Sequence, residues 1–187
     1  MIKHIKINPA GRLVIASVVL TNIVYAIMLC YTIPTLMAFS SGLPIFDMSP
    51  AGYNVEQATR LLDNLGETGR AFYRYQLALD LIYPALFGLS YFALFQWILN
   101  KNAITRTTWR WISILPIIAA LFDYLENITV WLMLRSFPNV SELLVKVAST
   151  LTVTKSTLVM SYWCSLLVLL FILTIRKFKN RDTKAQH

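Results

Sequence analysis

Asp80, Asp123, Glu126 and Lys155 stand inside long hydrophobic stretches of the chain. Carboxyls beside an amine can hold a cation, relay a proton, or serve as general acid and base. Ionised groups in hydrocarbon are costly, so their clustering marks the place where any chemistry would be done. Asp123, Glu126 and Asn127 fall at i, i+3 and i+4, which puts them on one helix face. Lys155 shares a stripe with Thr152 and Tyr162. Ahead of Asp80, Arg70 and Arg74 are one turn apart; after it come Tyr83 and Pro84. Pro84 has no amide hydrogen, so the carbonyl of Asp80, four residues earlier, loses its helical partner. A freed carbonyl and a carboxyl on one residue make an acceptor site beside a kink.

The chain has 187 residues, 57% hydrophobic and 14% charged. A soluble domain carries about 25% charged residues, and the mean hydropathy here is +0.58. Four stretches, about 13–39, 77–99, 111–134 and 151–175, are long enough to cross about 30 Å of hydrocarbon as helices. The fold expected is all-α: residues 1–187 form a single integral membrane domain, a four-helix transmembrane bundle. The first stretch is longer than the core of a secretory signal, so a retained anchor is expected. At about 1.5 Å per residue, Asp123 lies about 18 Å from Trp111 and Glu126 about 22 Å. Asp80 lies about 28 Å from Leu99, and Lys155 about 31 Å from Arg176. All four belong to the same half of a bilayer, with Arg70 and Arg74 just above.

Lys3, Lys6, Arg12, Lys101, Arg106, Arg110 and the five basic residues after Ile175 share one side with a single acid, Asp182. The other side mixes both signs, so the positive-inside rule puts both termini in the cytoplasm. This parcelling between spans, rather than one patch, also argues against nucleic-acid binding despite a net charge of +8. In the first extracytoplasmic loop, Asn54 and Gln57 have the spacing of a capping box. Ala58, Leu61, Leu62 and Leu65 then follow amphipathic helical spacing, and Gly66 suits the helix end. This short helix is expected on the outer membrane surface or as a cap on the bundle. Thr68 is expected to start a further helix that runs straight into the second span. From Ser141 to Lys177 nothing stops a helix.

His4 and His187 are in the tails, which leaves no histidine triad or zinc site, and no metal or cofactor is expected. Cys30 and Cys164, both mid-span, read as small apolar fillers. On insertion scales each central charge costs about 2.5–3.5 kcal/mol, so the cluster must be paired. Three acids nearly balance only if Arg70 and Arg74 reach down to join Lys155; otherwise one carboxyl, Asp123 as the deepest, keeps its proton. Three functions fit. In the leading one the cluster is structural, fixing helix register in a small scaffold or partner subunit. In the second, Tyr73, Tyr83, Trp163 and other aromatics line a pocket for a lipid or small amphiphile, with isomerase-like carboxyl chemistry as a variant. In the third, the acids carry a cation or proton, although the cytoplasmic half has no ionisable residue to continue the path. No motif assigns a catalytic residue. The partners expected are membrane lipid, a lipid-like ligand, and a second copy of the chain or another membrane protein.

The strings LLDNLGETGR (61–70), DLIYP (80–84) and DYLEN (123–127) resemble those of uncharacterised bacterial four-helix integral membrane proteins. These share a Leu-Asp-x-Leu-Gly-x-x-Gly-Arg loop, a span with Asp-x-x-Tyr-Pro, and a later Asp-x-x-Glu-Asn. The similarity covers most of residues 45–165. It implies the bacterial inner membrane and brings no activity. It also implies that Gly66, Gly69 and Arg70 belong with the polar cluster as the turn and lid of the loop.

Overall fold

The computed structural model describes residues 9–185, with side chains for residues 11–177; Lys3, His4, Lys6 and His187 lie outside the described residues. The first hydrophobic stretch is α1 (Pro9–Ile27), a π-helical turn (Met28–Thr32) and α2 (Ile33–Phe39). After a loop, α3 (Val55–Asn64) and α4 (Gly66–Leu79) lead into α5 (Tyr83–Lys101). The third stretch is α6 (Thr107–Ile112) and α7 (Leu115–Ser136), and the fourth is α8 (Glu142–Ala185). No strand occurs among the described residues. Four segments, 11–39, 66–101, 107–136 and 142–177, are long and apolar enough to cross a membrane.

Polarity is distributed inside out. Thr21, Gln76, Asp80, Ser90, Glu126 and Thr152 are buried, while Leu13, Ile23, Leu89, Leu121, Leu167 and Phe171 are exposed. An exterior this apolar fits hydrocarbon rather than water. Buried hydroxyls and amides then tie the helices together, as expected where lipid offers no hydrophobic drive between them. Thr21 donates to Ser90 Oγ at 3.0 Å, Asn22 to the Tyr91 hydroxyl at 2.9 Å, and Tyr162 to the Tyr91 carbonyl at 2.9 Å. Small residues bring α5 and α7 close. A Cβ on Gly88 would stand 3.1 Å from Ala120 Cβ and 3.3 Å from the Pro116 carbonyl.

The helices form a row: α1 packs on α5, α5 on α7, and α7 on α8, with little direct packing between α1 and α8. Two apolar clusters fill the row. One, at the end that carries the long loop, joins Leu61 and Leu62 of α3 to Met133 of α7 and Ala148 of α8. The other, toward the opposite end, joins Phe95 of α5 to Tyr162 and Leu169 of α8. The α3 helix therefore caps the bundle. Its capping box is formed: Gln57 N–H donates to Asn54 Oδ1 at 2.8 Å, and Asn54 N–H to Gln57 Oε1 at 2.9 Å. Gly66, at φ +59°, makes the turn out of it.

Two expectations need correction. The helix expected from Thr68 starts at Gly66, and it does not run straight into the second span but stops at Leu79, because Pro84 cannot supply the amide that would continue it. Cys30 and Cys164 are free and exposed on the apolar exterior rather than filling gaps between helices. The fourth stretch is one 44-residue helix, longer than a single crossing needs, in keeping with the lack of a stop from Ser141 to Lys177.

Candidate functional site

Between the two apolar clusters the helix break sets the site. Residues 80–82 form a turn; the Ile82 carbonyl accepts from the Leu86 amide of α5, while the carbonyls of Asp80 and Leu81 are taken up by α7. Asn127 Nδ2 donates to the Asp80 carbonyl at 3.3 Å, and the Tyr124 hydroxyl donates to the Leu81 carbonyl at 2.8 Å. The acceptor expected at Asp80 thus exists, but its carbonyl holds two spans together and only its carboxyl remains for other work. One α7 face carries Asp123, Glu126 and Asn127 inward, all buried, as their spacing requires.

Lys155 projects from α8 into this face. Its Nζ lies 3.0 Å from Asp123 Oδ1 and in direct contact with Glu126. Glu126 is fully enclosed, and Thr152 Oγ1 donates to its Oε1 at 2.5 Å. Glu126, Thr152 and Lys155 therefore clamp α7 to α8, with Thr152 on one Glu126 oxygen and Lys155 on the other.

A fourth acid joins from the loop. Asp47 sits on a 3-10 turn (Phe46–Met48) that buried Ile45 and Phe46 anchor into the bundle. Its Oδ2 accepts from the Tyr73 hydroxyl at 3.0 Å, and its Oδ1 lies 3.6 Å from Lys155 Nζ. Sequence reasoning left Asp47 among the mixed charges outside the membrane. The signal that could have found it is its setting, an acid framed by Ile45, Phe46 and Met48 in an otherwise turn-rich loop.

Arg70 and Arg74 are not brought to the cluster. The Arg70 guanidinium donates to the Leu62 carbonyl at 2.7 Å and lies 4.4 Å over the Phe137 ring. Arg74 is exposed and makes no ion pair among the described residues. The reason is positional: both lie on α4, where the nearest unsatisfied groups for Arg70 are the C-terminal carbonyls of α3. The charge inventory is consequently four carboxyls, Asp47, Asp80, Asp123 and Glu126, against Lys155.

A cavity of about 290 Å³ opens on this cluster. Its polar end is formed by Asp47, Gln76, Asp80, Asp123, Lys155 and Ser156; Met28, Ile33, Tyr83, Phe87 and Val159 are among its apolar walls. Tyr83 stacks on Tyr25 with ring centres 5.5 Å apart. Tyr25 and Met48, exposed members of the lining, mark its mouth. One carboxylate oxygen from each of Asp47, Asp80 and Asp123 lies within 4.8 Å of the other two. These three could hold a hard cation, as the cation reading from sequence allows, with Asp47 joining Asp80 and Asp123 in place of Glu126. Gln76 Oε1 is buried without a hydrogen-bond partner, as is Asn127 Oδ1. Tyr53, where the loop meets α8, donates its amide to Ser149 Oγ at 2.8 Å, and burial pushes its phenol up. No protein-family model, curated protein or solved structure matches the chain.

Proposed function

We propose that the chain is an integral membrane protein with both termini cytoplasmic, and that it binds a small amphiphile in the cavity beneath its extracytoplasmic loop. One observation carries the reading: the ionisable cluster and an apolar aromatic wall line the same cavity. A purely structural network would be packed against itself, as Glu126 and Thr152 are. Asp47, Asp80 and Asp123 instead face open space beside Tyr83 and Phe87. At about 290 Å³ the cavity is at the small end of ligand pockets, which run from about 300 to 1,000 Å³. The scant packing between α1 and α8 gives a lipid-like molecule a lateral route from the bilayer. The cluster has a structural half as well, in the clamp of Lys155 and Thr152 on Glu126. The orientation rests on the eleven basic residues of one side.

The test fills the cavity. Val159→Trp, in the wall, should abolish retention of amphiphiles that co-purify with the protein, read by mass spectrometry of the protein released intact from detergent. Val168→Trp, on the exposed surface, should leave them in place. Identical bound species in both variants, or none in the parent, refutes the reading. Cysteine accessibility at residues 51 and 103 reports orientation, with residue 51 expected to react from outside.

A further inference from the structure

The acceptors around the cavity outnumber the donors, and this identifies the head group. We propose that the amphiphile bound here is an organic amine whose primary ammonium sits among Asp47, Asp80, Asp123 and Gln76. This rests on the amphiphile reading above and names its ligand class.

Charge comes first. Four carboxyls converge on the site and Lys155 is the one cation that reaches them among the described residues. Lys155 is already committed to Asp47, Asp123 and Glu126, and Asp80 forms no ion pair among the described residues. A ligand that brings an anion would add to the imbalance; one that brings a cation reduces it.

Hydrogen bonding points the same way. Gln76 is only 3% exposed, lines the cavity, and leaves Oε1 without a partner. A buried acceptor left unpaired costs about 1–3 kcal/mol, so a donor from the ligand is favoured there. An ammonium has three N–H donors and no acceptor, which suits a site where acceptors are in excess.

The apolar remainder of the cavity separates an organic ammonium from a bare metal ion. An equilateral triangle with edges of 4.8 Å, the upper limit of the aspartate oxygen spacing, has a circumradius of about 2.8 Å. That is the length of a charge-assisted N–H···O bond, about 2.7–2.9 Å, and any smaller triangle places the nitrogen slightly off its plane at the same distance. Calcium binds oxygen at about 2.3–2.6 Å and fits a triangle with edges of about 4.0–4.5 Å, also inside that limit, so spacing alone does not choose between the two. The remaining volume, walled by Met28, Tyr83, Phe87 and Val159, is wasted on a naked ion but suits a short alkyl chain. Tyr25 and Tyr83 at the mouth offer ring faces to a passing cation.

The experiment uses the full chain in phosphatidylcholine nanodiscs, with hexylammonium, hexanol and calcium chloride as probes. The readouts are the thermal unfolding midpoint and the side-chain amide resonance of Gln76. Hexylammonium is expected to raise the midpoint and move the Gln76 signal, and Asp80→Asn to weaken it 10- to 100-fold, the loss of one charge-assisted bond. Gln76→Leu, which removes no charge, should weaken it less and keeps the test valid if Asp80→Asn fails to fold. Hexanol binding as tightly as hexylammonium overturns the amine assignment while leaving an amphiphile pocket. Calcium alone moving Gln76, with hexylammonium inert, assigns the site to an inorganic cation and overturns the proposal. Silence from all three probes sinks the pocket itself.

Discussion

Lys155→Met is the most informative single perturbation. Methionine keeps the length and apolar stem of lysine but removes the cation that faces Asp47, Asp123 and Glu126. Lys155 is 14% exposed and the Glu126 side chain 0%, so neither charge is screened by bulk water. Removing one member of such a buried pair costs about 3–5 kcal/mol, because the remaining charges are left uncompensated. Glu126→Gln is milder: Lys155 keeps Asp123 and Asp47, and the loss is that of one charged hydrogen bond, about 1.5–3 kcal/mol. The double variant should cost less than the two singles added together, with a coupling of about 1–3 kcal/mol, since one unopposed carboxylate goes with the lysine. Reversible unfolding in mixed micelles, followed by tryptophan fluorescence, measures all three. A Lys155→Met cost below about 1 kcal/mol, or strict additivity, would show that the ion cluster does not hold α7 to α8.

Other outcomes follow from the same geometry. Tyr124→Phe removes the donor to the Leu81 carbonyl and should cost about 1 kcal/mol in the same unfolding assay. Gly66→Ala meets open space and pays only for its left-handed backbone, about 1–2 kcal/mol. Gly52→Ala, at φ +85° and 2.7 Å from Ser149 Oγ, adds overpacking of about 1–3 kcal/mol, so it should be the worse of the two. Asp47→Asn loosens the Phe46–Met48 turn from Tyr73 and Lys155, and proteolysis between residues 43 and 53 should quicken. Burial holds the Tyr53 proton in the folded state, so above about pH 10 the folded chain binds more protons than the unfolded one and stability falls as pH rises. Tyr53→Phe should flatten that fall in unfolding midpoints taken from pH 8 to 11.

The spans were legible because a 20-residue apolar run and a periodic polar face are local signals. Asp123, Glu126 and Asn127 share a helix face by spacing alone, and the Asn54–Gln57 capping box needs only four residues. Lys155 meeting Asp123 could be argued from depth along two helices. Asp47 could not, since a loop residue has no depth until the loop is folded, and its apolar neighbours Ile45, Phe46 and Met48 are the one local feature that sets it apart from Asp63 or Glu67. Arg70 misled for a related reason. Residue counting puts it just above the acids, but sequence does not show that the Leu62 carbonyl of α3 and the Phe137 ring take its guanidinium. The helix break was foreshadowed by Pro84; that Asn127 and Tyr124 would repair it from another span needed coordinates.

The position of Lys155 in the chain bears on how the protein is made. Asp47, Asp80, Asp123 and Glu126 all leave the ribosome before it. On the proposed topology, the third crossing arrives carrying two acids whose neutralising partner is still unsynthesised. At about 2.5–3.5 kcal/mol for each central charge, that segment is a poor candidate to partition by itself. It should wait at the translocon and move into lipid as a hairpin with the crossing that follows.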